Sequence, residues 1–157
     1  MTRQGNVGVR LRRAQPLELA ALSDLCLRSK AIWGYDAAFL RACRAELTLT
    51  PRDLEVSHVP VAECAGTIVG VAQVSVTAAE ASLDKLFVEP AAIRGGTGRR
   101  LFEWCIEAAR ADGARTLVIE ADPGAAPFYR RMGARDAGLV PSGSVPGRVL
   151  PLLKLDL

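Results

Sequence analysis

Histidine is almost missing from this chain, with His58 the only one in 157 residues, and aromatic residues of all kinds make up only 5%. A lone histidine in a loop before a β-rich run is more often a surface group than a catalyst or ligand, so the chemistry is sought elsewhere. Cysteine is sparse as well. Cys26, Cys43, Cys64 and Cys105 match no zinc-ligand spacing, and helical or strand patterns hold most of them, so reduced core residues and no metal are expected. No apolar segment follows the arginines of residues 1–15, and no apolar run is long enough to span a bilayer. A cytoplasmic protein without a membrane partner is expected. Net charge is only +3 and the basic residues are mostly scattered, which excludes nucleic acid as a strong partner. There is no internal repeat and no linker. With 50% hydrophobic content, residues 1–157 read as one domain with a sizeable core.

The stretch LDKLFVEPAAIRGGTGRRLF, residues 83–102, carries most of the information. A short apolar strand runs through a proline-marked loop into a glycine turn and then a helix. Gly95, Gly96 and Gly98 are expected to adopt φ > 0 and aim backbone N–H groups at one point, where a helix N-terminus adds free donors. Arg94, Arg99 and Arg100 crowd that same end, where the helix macrodipole disfavours cations. An anionic ligand would resolve the conflict. The chain lacks G-x-x-x-x-G-K-[ST], so a Walker-type nucleotide loop is unsupported. A dinucleotide site is a competitor, because Gly96 and Gly98 open a helix and Glu120 lies about 20 residues further on. Against it, Leu101 holds the third glycine position, and residues 90–94 separate strand from turn.

Around this centre, Val7, Val9 and Leu11 alternate inward, which predicts a half-buried first strand over residues 7–12. Pro16 suits a helix start for residues 17–28, Asp36 caps a second helix to about Glu46, and Pro51 closes the region. Residues 59–64, 68–76 and 82–88 read as an antiparallel meander. The helix after the glycine turn leads to a strand at residues 116–120, making a βαβ unit. Residues 125–132 form a short helix, and 134–140 and 148–157 are two further strands.

This order, with LFVEP before the glycine turn and DPGAAPFYRRMGA later, resembles the GNAT superfamily of acyl-CoA-dependent N-acetyltransferases over nearly the whole chain. The resemblance implies an α/β fold: a mostly antiparallel mixed sheet with a central, splayed parallel pair and flanking helices. It implies acetyl-CoA (coenzyme A) as co-substrate, with the pantetheine arm in the splay and the pyrophosphate on Arg94, Gly95, Gly96, Thr97, Gly98 and Arg99. Leu86, Phe87 and Val88 would supply the strand edge, and backbone N–H groups near Phe87 and Val88, at a strand-end bulge, would polarise the thioester carbonyl. Two positions depart from the family pattern. Ile93 stands at the usual Q/R position, and Gly124 replaces the usual Asn of the second segment.

Transfer of acetyl to an amine needs a neutral amine, a held carbonyl and a proton for the departing thiolate. Tyr129 matches the family tyrosine that faces the sulfur and can donate that proton. Asp84 lies two residues before Leu86, so period two places both on one face, and it is the candidate acceptor of the amine proton, with Glu63 and Glu120 in reserve. Trp33 and Tyr35, flanking Gly34, are expected to wall the acceptor site or else to plug the helix pair onto the sheet. Arg148 could reach the same cleft and pair a carboxylate. The expected activity is direct transfer of acetyl to a small-molecule amine in a ternary complex, by a monomer or homodimer. The alternative is a non-catalytic acyl-CoA-binding module.

Overall fold

The computed structural model describes residues 8–93 and 95–157. Arg94 of the glycine turn and Val7 of the first expected strand lie outside the described residues. The first element among the described residues is strand β1 (Arg10–Arg13), whose Arg12 is gripped by Glu18 at 2.8 Å and Glu63 at 2.7 Å. A 3₁₀ turn at Pro16–Glu18 then starts α1 (Leu19–Ala31). Asp36 accepts the Phe39 N–H at 2.8 Å and so caps α2 (Ala37–Leu47). Next comes α3 (Pro51–Val56), which the sequence reading missed by treating Pro51 as a stop. Thr50 and Asp53 form a reciprocal capping box around it, and proline at the first helical position loses no hydrogen bond.

Strands β2 (Pro60–Cys64), β3 (Thr67–Thr77) and β4 (Glu80–Val88) form the expected meander. Helix α4 (Thr97–Ala111), β5 (Thr116–Glu120), α5 (Ala126–Arg131), β6 (Arg135–Pro141) and β7 (Val149–Asp156) complete the fold. Among the described residues seven strands run in the order β1-β2-β3-β4-β5-β7-β6, with β4–β5 a parallel pair. One face of the sheet packs on α4 through Leu101, Phe102 and Cys105, and the other on α1 and α2 through Leu22, Leu25 and Cys43. Helix α4 approaches β3 so closely that a Cβ on Gly70 would lie 2.8 Å from Leu101 Cδ1. None of the described helices is long and apolar enough to cross a membrane.

Strand β4 holds the feature that shapes the site. Gln73 pairs with Lys85 and Val74 with Leu83, which leaves Asp84 as an extra residue in a β-bulge. The register with β5 ends at the same place, at Leu83↔Ile119. A bulge bends and twists its strand, so beyond Leu83 the edge of β4 that faced β5 has no strand partner. The bulge thus lies at Asp84, not at the strand end near Phe87 and Val88. It also overturns the period-two placement of Asp84 with Leu86. Leu86 packs toward the α4 core, whereas Asp84 accepts hydrogen bonds from Ser75 Oγ at 2.7 Å and Ser82 Oγ at 2.9 Å.

Candidate active site

The gap left by the bulge is a cleft of about 330 Å³. Leu86 and Val88 of β4, Gly98 of α4, Phe128 and Tyr129 of α5, and Ser29 and Trp33 at the end of α1 all line it. At one end stands the glycine turn. Gly96 caps α4 with φ +78°, open space where a side chain would stand, and no capping side chain. The helical ladder starts with the Arg100 N–H bonded to Gly96 O, so the amides of Thr97, Gly98 and Arg99 precede it. Gly95 and Gly98 differ from expectation, since neither has positive φ. Gly98 is small for another reason: a Cβ there would sit 3.7 Å from Val88 and 3.8 Å from Phe128, narrowing the cleft.

The arginines are less free than the sequence implied. Arg99 pairs with Glu103 one helical turn on at 2.9 Å, both well exposed, and Arg100 donates to the carbonyl of Val9 on the β1 side. The expectation that Arg100 awaits an anion is therefore corrected: the backbone of the neighbouring segment already accepts its charge-assisted bond. Arg99 remains a surface pair of the kind that exchanges easily.

Tyr129 sits deep in the cleft at 7% exposure, braced by Phe102 and Phe128. Burial pushes its phenol well above the ordinary tyrosine value, with Cys105 and Asp122 adding to the effect. It stays a proton carrier at neutral pH. Its hydroxyl has no hydrogen-bond partner among the described residues. Burial likewise pushes the Cys105 thiol up to about 12, and that of Cys26 to about 12, so both are inert packing groups. Cys26, Cys43 and Cys105 are buried free thiols, and Cys64 is only partly buried.

Trp33 is 46% exposed, and its ring covers Gly124. A Cβ at residue 124 would lie 2.8 Å from Trp33 Cε3, which explains why glycine stands where the family pattern has a larger residue. Tyr35 does not line the cleft as an open wall. Its hydroxyl donates to Asp122 Oδ2 at 2.7 Å, its ring stacks on Phe39 at 3.9 Å, and Arg148 reaches its oxygen at 2.6 Å. Arg148 does pair a carboxylate, but one of its own chain: Asp122, at 3.4 Å, which also takes Lys30 at 3.3 Å. Burial alone would raise the Asp122 carboxyl. Bonds from Tyr35, the Gly124 amide and Lys30 outweigh that and hold it below the ordinary value. Burial and the same carboxylate push the Tyr35 phenol up to about 12.

Asp122 and Lys30 were not singled out by sequence. The DPG turn was visible, and Asp122 Oδ1 does accept the Gly124 N–H at 2.9 Å. Nothing local announced that its other oxygen gathers the α1–α2 connection and the start of β7.

A second cavity, of about 210 Å³, adjoins the splay. Asp84 and Lys85 of β4, Glu46 of α2, Glu120 of β5 and Leu150 of β7 line it. The two cavities meet β4 at consecutive residues, Lys85 in one and Leu86 in the other. Lys85 is buried and donates to Gln73 Oε1 at 2.8 Å. Glu63 is not near this group, being held by Arg12. His58 is tied to Asp112 at 2.6 Å outside both cavities.

The acetyltransferase (GNAT) domain profile matches residues 33–139, more than half of the chain. The chain therefore belongs to the GNAT acetyltransferase family, and is an acyltransferase by descent. No curated protein matches it in sequence. Among solved structures, the PaiA N-acetyltransferase of Thermoplasma acidophilum in complex with coenzyme A superposes with TM-score 0.78 at 14% identity, covering 96% of this chain and 99% of that one. YncA of Salmonella typhimurium, solved with its cofactor acetyl-CoA, gives 0.69 at 22% identity, with 95% and 94% covered. The ribosomal-protein-alanine N-acetyltransferase of Brucella melitensis gives 0.69 at 25% identity, with 94% and 99% covered.

Proposed function

We propose that the protein transfers an acetyl group from acetyl-CoA to the amine of a small acceptor, directly and without a covalent enzyme intermediate. The observation that carries this reading is the pair of cavities meeting at the β4 bulge. One is narrow, leads from the glycine turn to Tyr129, and suits a pantetheine arm. The other is edged by Asp84, Glu46 and Glu120, a set that favours a protonated amine. The amides of Thr97, Gly98 and Arg99, after the left-handed Gly96, hold the pyrophosphate, with Gly95 and Arg94 completing the loop.

In the reaction, Asp84 takes the proton of the incoming ammonium, and the neutral nitrogen attacks the thioester carbonyl. Backbone N–H groups of the unpaired β4 edge near Leu86, Phe87 and Val88 stabilise the oxyanion. As the C–N bond forms and the C–S bond breaks, the thiolate sulfur takes the proton of the Tyr129 hydroxyl, and the second proton lost by the nitrogen returns through solvent to the Tyr129 phenolate, leaving a neutral amide and free CoA thiol. The raised phenol keeps that proton available throughout the neutral range. Trp33 separates the two substrates at Gly124, while Tyr35 and Arg148 frame the acceptor side through Asp122.

Calorimetric titration with acetyl-CoA, CoA and NAD tests the cofactor, with acetyl-CoA and CoA expected to bind and NAD not. Free-thiol release with a panel of small amines, and with a peptide bearing a free N-terminal amine, then tests the acceptor. Binding without thiol release to any amine would leave the non-catalytic module as the better reading, and release only with the peptide would replace the small-molecule acceptor.

A further inference from the structure

Helix α1 buries Leu22, Leu25 and Cys26 along one stripe, and the next position of that stripe is Ser29. Ser29 is 7% exposed and lines the cleft together with Tyr129, Leu86 and Trp33. A buried helical serine usually returns its hydroxyl to the carbonyl four residues back. Ser23 of the same helix does so, bonding Leu19 O at 2.8 Å while accepting the Leu49 N–H at 2.9 Å. The Ser29 hydroxyl has no hydrogen-bond partner among the described residues. No side-chain oxygen among the described residues is both buried and without a partner, so the Ser29 hydroxyl opens onto the cleft rather than into the core. The partner that would satisfy it therefore belongs in the cleft.

We propose that the Ser29 hydroxyl donates a hydrogen bond to the carbonyl oxygen of the acyl group carried by acetyl-CoA. This rests on the cofactor reading given above. Helix α1 packs on β4, and Ser29 shares the cleft with Leu86, the first cleft-lining residue past the bulge, and with Tyr129, the proton donor. The phosphate-binding end, by contrast, is built from the α4 N-terminus. A donor at the thioester end complements the backbone amides of β4 from the opposite wall, and its bond strengthens as the carbonyl becomes an oxyanion.

The test compares acetyl-CoA with CoA, because only acetyl-CoA carries the carbonyl. Ser29→Ala is expected to weaken acetyl-CoA binding about fivefold, the worth of one ordinary hydrogen bond, while CoA affinity and the melting temperature of the free protein stay level or rise. Ser29→Cys, close in shape but a weak donor, should fall between the parent and Ser29→Ala. Equal losses for both ligands would place Ser29 on the pantetheine arm, and no loss for either would make it a packing residue; each overturns the proposal. If the unaltered protein binds neither ligand, the cofactor reading fails first and takes this inference with it. If the unaltered protein binds both and only the discrimination is absent, the cofactor reading stands and Ser29 has no such role.

Discussion

Tyr129 and Trp33 show how a side chain's surroundings decide its chemistry. Tyr129 has a phenol held neutral by burial and no internal partner for its hydroxyl, so the hydrogen atom is free to serve a ligand. Tyr129→Phe keeps the packing against Phe102 and Phe128, and should lower kcat about tenfold or more with acetyl-CoA affinity nearly unchanged. Steady-state kinetics with chemistry rate-limiting checks this, and an undiminished kcat refutes the role. Trp33 rests on Gly124 because glycine leaves room for the ring. Gly124→Ala should force the indole off its seat, changing its fluorescence and raising the acceptor KM. Unchanged fluorescence would mean that the ring does not lie where residue 124 excludes it.

At the level of elements, the α4 N-terminus and the β4 bulge each do one job. Gly96 has positive φ and open space beyond its Cα, so Gly96→Val strains the backbone and fills the space proposed for the pyrophosphate without touching the core. Acetyl-CoA affinity should fall at least tenfold while the far-ultraviolet circular dichroism stays that of the parent. A variant binding as well as the parent would remove the turn from the cofactor site. The α1–α2 connection, the end of β5 and the start of β7 are held together by Asp122, whose carboxyl lies below its ordinary value. A group depressed in the folded state stabilises above its unfolded value and loses that contribution as pH falls through the folded one. Asp122→Asn should therefore destabilise the protein at neutral pH and show a flatter loss of melting temperature below about pH 4, near the unfolded aspartate value. Parallel acid limbs in the two proteins would exclude Asp122 as a contributor.

Over the whole molecule, one sheet carries two cores, and α4 and the α1–α2 pair clamp it from opposite faces. Phe102 is 1% exposed at the centre of the α4 layer and contacts both Phe128 and Tyr129. Phe102→Ala should cost about 3–5 kcal/mol, the usual range for a buried aromatic, read from denaturant unfolding. The same change should loosen Tyr129 and depress kcat. A loss under about 1 kcal/mol would mean that the layer collapses into the gap, against the close packing of interiors.

The sequence alone determined the order of the strands and of every helix but α3, the glycine turn at the head of α4 and the tyrosine of α5. Those features are local: proline and glycine punctuate, apolar residues repeat at two or at three to four, and a motif lies in consecutive residues. It missed α3 because a proline reads as a stop or a start depending on the caps around it. Only the tertiary structure decided where β4 bulges, since a one-residue slip depends on the neighbouring strand and reverses the faces of Asp84 and Leu86. The same holds for Asp122, which gathers Lys30, Tyr35 and Arg148 from positions up to 92 residues away. Such a cluster exists because buried charge must find partners, and which partners lie within reach is set by how the layers pack, not by any local pattern of residues.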